Sequence, residues 1–129
     1  MSTFNLLQNV TAVQQPWSRA NPPPDQSVVD LHNVGGGTPF GGANYQSLQA
    51  TVTGSGTVAA TVVWMVSNNR IDWTPYPTIN GVVASPLTMA SAASPNTGIV
   101  NGTGSFSFYA AYVSAISGTG AAVNAWLSA

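Results

Sequence analysis

His32 is the one histidine of the chain, and Asp25, Asp30 and Asp72 are its only carboxylates. There is no Cys, Glu or Lys, and the only strong cations are Arg19 and Arg70. Asp30 and His32 stand two residues apart, so in a strand they share a face. That spacing would allow a weak metal or acid–base pair. No second His, Cys or Glu exists to complete a metal site. A Ser-His-Asp relay would have to recruit His32, and no Gly-x-Ser-x-Gly elbow is present. Gly35-Gly36-Gly37 is followed by no helix pattern and lacks a lysine for phosphate. The expectation is a protein that is not an enzyme, with no cofactor and no metal.

Aromatic side chains are the other candidates. Trp17, Phe40, Trp73 and Tyr76 fall in loop-like or edge segments. Exposed aromatics anchor protein interfaces or stack on sugar rings. These four, with Arg19 as a polar anchor beside Trp17, form the expected partner interface. Trp64 and Trp126 lie in alternating apolar runs and are expected in the core.

The elements that must position these residues are set by composition and alternation. The chain has 129 residues and 13.2 kDa, one domain in size, spanning 1–129. Five side chains carry full charge and the net charge is −1. A typical domain of this length would carry about 32. Without basic clusters the chain cannot neutralise a run of phosphates or an anionic bilayer, so neither nucleic acid nor membrane is an expected partner. Disorder is excluded too, since 44% of the residues are hydrophobic. The polar complement is neutral: 14 Ser, 13 Thr, 11 Asn and 6 Gln. Such a surface is poor for colloidal solubility and suits a molecule largely covered in an assembly. Met1–Val13 has neither a basic region nor an apolar run of signal length, so secretory export is not expected.

Period-two alternation runs through most of the chain. In Val58–Val66, Ala60, Val62, Trp64 and Val66 share a face; in Tyr45–Thr53, Leu48, Ala50 and Val52 do. Gly54-Ser55-Gly56 between them reads as a hairpin turn. Phe106–Ile116 and Ala121–Leu127 repeat the arrangement around Ser117-Gly118-Thr119-Gly120. Asn80-Gly81 is a type I′ turn signal between Tyr76–Ile79 and Val82–Met89. Ala90–Gly104, rich in Ser, Ala, Asn, Gly and Thr, reads as a long surface loop. Residues 1–42 read as a strand within Phe4–Val13, an extended proline-rich arm over Gln14–Gln26, a short strand within Val28–Val34 and a glycine-rich loop. Seven or eight strands in one domain suit an all-β, single-domain β-sandwich, jelly-roll-like, with the arm extending from it.

Val66-Ser-Asn-Asn-Arg-Ile-Asp-Trp73 resembles the V-x-x-S-N-D-G-x-x-W segment of small phage-encoded β-sandwich proteins. Phe108–Trp126 resembles their C-terminal segment, Y-x-R-A-x-V-x-A-I-S-G-T-G-A-A-V-x-V. The likeness covers Tyr45–Ala129. Asn69-Arg70 stands where the pattern has Asp-Gly, and Ala110 where it has Arg. The resemblance implies a virion structural protein of a tailed bacteriophage: a capsid decoration (cement) protein on the capsid surface. The implied partners are the major capsid protein and further copies of this chain, as a homotrimer. The alternative is a tail or fibre module that binds carbohydrate or a receptor through loop aromatics.

Overall fold

The structure, a computed structural model, describes residues 3–31 and 45–129. Among the described residues, seven strands form one antiparallel sheet: β1 (Thr3–Val10), β2 (Val29–Asp30), β3 (Gln46–Ser67), β4 (Thr74–Pro75), β5 (Leu87–Ala93), β6 (Asn96–Gly102) and β7 (Phe108–Ser128). Helix among the described residues is limited to a 3-10 turn at Asp25–Ser27. The all-β expectation is met.

β3 and β7 pair antiparallel from Ser47↔Ser128 to Ser67↔Phe108. This overturns both expected Gly-x-Gly hairpins, because neither glycine segment reverses the chain. They lie opposite each other in mid-strand, where Ser55 faces Thr119 and the ladder slips register on both sides. Bulges of this kind bend a strand and strengthen its twist. Gly54 and Gly118 are required by close approach. A Cβ at Gly54 would sit 2.8 Å from the Thr119 carbonyl oxygen. One at Gly118 (φ +120°) would sit 2.7 Å from Val58 Cγ1 and 2.9 Å from the Thr57 carbonyl oxygen.

The other edge of β3 is shared by β6 along Gln46–Val52, β5 along Thr57–Val62 and β4 at Met65–Val66. The expected Ala90–Gly104 loop is therefore wrong: it holds the end of β5 and all of β6. Its small polar residues have low strand propensity, but pairing with a central strand overrides that weak preference. The Asn80-Gly81 turn is formed as read, with both φ positive (51° and 79°) and Ile79 bridged to Val82.

Alternation decides the core. Leu48, Ala50 and Val52 before the bulge and Val58, Ala60, Val62 and Trp64 after it join one buried cluster. Tyr109, Ala111 and Val113 join it from the first half of β7, and Val123, Ala125 and Leu127 from the second. Trp64 is 1% exposed, as expected. Trp126 is not in this core. Val123, Ala125 and Leu127 take the inward row, which turns Trp126 to the opposite face, half-buried between Asn5 on β1 and Gln49 on β3.

Candidate interaction surface

The arm follows from an incomplete edge. On the side of β7 away from β3, β1 pairs with positions from Val123 to Ser128 and β2 only with Phe108 and Tyr109. The backbone groups between them need other partners. Prolines 16, 22, 23 and 24 prevent the arm from forming a regular strand. Gln14 and Trp17 supply the bonds instead. Gln14 N donates to the Val113 carbonyl (2.8 Å), and Val113 N donates to Gln14 Oε1 (3.0 Å). Trp17 Nε1 donates to the Ala111 carbonyl (2.7 Å).

Trp17 is thereby a buried side chain, which corrects its expected role as an exposed interface anchor. It packs with Met65 and Ala110, bordered by Val63, Trp73 and Tyr112. Its ring meets Tyr112 edge-on at 6.5 Å between centroids. Met65 faces away from the main core and is still only 3% exposed. The arm thus helps form a second apolar cluster outside the main one.

Arg19 is exposed and forms a bidentate pair with Asp72, at 3.1 Å and 2.9 Å. Arg70 reaches Asp25 at 2.9 Å. Both pairs tie the arm to the loop after β3. The Arg19 guanidinium, helped by the Asn69 amide, holds the Asp72 carboxyl below the usual carboxylate range. The loop is built by two polar side chains. Ser67 Oγ accepts from Asn69 N and Arg70 N (3.2 and 2.9 Å), and Asn69 Oδ1 accepts from Ile71 N and Asp72 N (2.9 and 2.8 Å). Arg70 has φ +61°, in the left-handed region. A side-chain-bearing residue thus holds the left-handed conformation here, and its guanidinium reaches Asp25.

Tyr76 is likewise not available to a partner, being 4% exposed. Its hydroxyl donates to Gln46 Oε1 and accepts from Gly104 N (2.8 Å), while Gln46 Nε2 donates to the Gly104 carbonyl (2.9 Å). Its ring lies edge-on to Phe106 at 5.2 Å. Pro75 and Pro77 place this segment at an edge, but the ring points into the core. Trp73 is half-buried beside the Trp17 cluster. Phe40 and His32 lie outside the described residues. Asp30 is exposed on β2. Of the expected interface residues, the structure brings Trp17 and Trp73 together and leaves Arg19 exposed beside them. No group of three or more His, Cys, Asp or Glu side chains placed to hold a metal ion occurs among the described residues.

A different surface was missed. On the outer face of the sheet, the ladders align Thr3, Ser128, Ser47 and Asn101 in one row across β1, β7, β3 and β6. The next row is Asn5, Trp126, Gln49 and Ile99, and the third is Asn124, Thr51 and Thr97. All eleven side chains are uncharged. Alternation assigns each strand's outward residues, but only the register assembles them into a patch. Comparison with known proteins finds no matching family model, no matching curated protein and no matching solved structure.

Proposed function

We propose that this chain is a structural protein of a phage virion, a decoration protein that binds the outside of the capsid through uncharged surface. Its partners in this reading are the major capsid protein and, within a homotrimer, further copies of itself. The observation that carries it is the fate of the charges. Four of the five charged side chains close on each other as Arg19–Asp72 and Arg70–Asp25. The 6455 Å² surface thus carries few charges, and these four sit in two exposed pairs of opposite sign. Permanent assembly favours interfaces with few charges, which need no ionic matching. The segments resembling phage proteins support the same reading. We also infer that the two halves of the sheet face each other as a jelly-roll-like sandwich, since both contribute to one core cluster.

The test is binding of the purified chain to capsids that lack it. Neutral contacts are not screened, so affinity should change less than about threefold between low salt and about 1 M salt. A steep loss of binding with salt, or no binding, overturns the reading. Mass spectrometry of virions should count hundreds of copies, and sedimentation should show trimers; a few copies per particle would indicate the tail. The carbohydrate alternative loses one of its expected contacts, because the Tyr76 ring is enclosed.

A further inference from the structure

We propose that the outer face centred on Trp126 is a binding site for a neutral saccharide, with the indole as stacking platform and Gln49, Ser47, Ser128 and Thr3 as its polar rim. These five residues line one depression of about 330 Å³, within the size range of small-molecule sites. Register places them: Trp126 is the cross-strand partner of Gln49, and Ser128 is the partner of both Thr3 and Ser47. The site lies on regular strands, which hold side chains more firmly than loops do. It is independent of the capsid reading, which rests on the charge pairing.

The lining selects the ligand class. It offers one aromatic ring, three hydroxyls and one amide. A hydroxyl both donates and accepts, and an amide presents one side of each kind. A pyranose has the matching character, with an apolar C–H face for the ring and a rim of hydroxyls that also donate and accept. Thr3 and Ser128 already bond to each other at 3.1 Å, so their hydroxyls are held side by side. Neither the lining residues nor their neighbours Asn5, Ile99 and Asn101 carry charge. An anionic ligand such as a sialylated glycan, a sulfated glycan or a phosphate would find no counter-ion. A peptide strand would need an open sheet edge for its backbone groups, whereas the depression lies over a face.

The full-length chain is screened against an array of neutral hexose and N-acetylhexosamine oligosaccharides beside sialylated and sulfated ones. The strongest neutral binder is then titrated by calorimetry. Neutral glycans should bind and charged ones should not. Trp126→Ala should weaken binding at least about tenfold, as truncation of a central aromatic does. Gln49→Ala should weaken it severalfold with an unchanged thermal midpoint, which keeps the test valid should Trp126→Ala unfold. Tyr45→Ala, at a residue 75% exposed and outside the depression, should bind like the parent. No neutral binder, a preference for acidic glycans, or binding lost on Tyr45→Ala but kept on Gln49→Ala and Trp126→Ala overturns the proposal.

Discussion

Trp17 shows how far one side chain's role depends on a distant partner. Its indole N–H meets the Ala111 carbonyl, and its ring covers Met65 and Ala110. Trp17→Ala removes the packing and leaves that carbonyl unpaired. A loss of about 3 kcal/mol or more in denaturant unfolding is expected. Trp17→Phe keeps much of the packing and should cost about 1 kcal/mol plus a smaller cavity term. Equal stability of Trp17→Ala and the parent would mean that the arm is not docked. At Arg70 the backbone sits in the left-handed region, which costs a side-chain-bearing residue about 1 kcal/mol. The Asp25 pair offsets little of this, since exposed pairs contribute about 0–1 kcal/mol. Arg70→Gly should therefore match or exceed the parent in thermal midpoint, and Arg70→Ala should fall below Arg70→Gly. The reverse order would mean that side-chain contacts, including Phe108 at 5.9 Å, outweigh backbone strain.

At the scale of elements, the long antiparallel pairing of β3 with β7 is the decisive feature. Both strands carry a glycine pair at the same height, and the ladder slips there. Gly118→Ala would place a methyl group against Val58 Cγ1 and the Thr57 carbonyl oxygen, on a backbone that already has positive φ. A destabilisation of about 2 kcal/mol or more is expected in chemical denaturation. Gly56→Ala is the contrast. Its φ is also positive, but nothing lies within 4 Å of the added carbon, so only the cost of about 1 kcal/mol for the backbone should appear. Equal losses would mean that close approach is not what the Gly118 position demands.

For the whole molecule, the buried phenols set the alkaline limit. Burial pushes the Tyr109 hydroxyl up to about 12 and the Tyr76 hydroxyl upward as well. In the unfolded chain a tyrosine titrates near ~10. The folded state holds the neutral phenol, so this contribution is complete below about pH 10 and is lost as pH rises through about 12. For Tyr109 the gap corresponds to about 3 kcal/mol. Unfolding free energy measured from pH 9 to pH 12, about the range of these pKa values, should fall steeply in its upper part. In Tyr109→Phe part of that fall should disappear. A fall of the same size in the variant would place the titration elsewhere.

Local alternation determined much of this protein without any tertiary information. It identified the apolar row of β3, the burial of Trp64 and the all-β class, because strand periodicity is a property of adjacent residues, while the Asn80-Gly81 dipeptide marked its turn; for β7 it separated two rows without showing which one faces inward. It also left Trp126 on the row opposite Val123, Ala125 and Leu127, although the ring's apolar character argued for the core. Pairing was decided only by the fold. A Gly-x-Gly between two alternating runs reads the same whether it reverses the chain or bulges within one long strand; the difference is which strand lies opposite. β6 was hidden because its small polar residues have weak preferences of their own and are ordered by β3. Trp17 and Tyr76 gave no period from which a face could be read. Their burial depends on the unpaired edge of β7 and on Gln46 and Gly104, distant in sequence and near only after the sheet has formed.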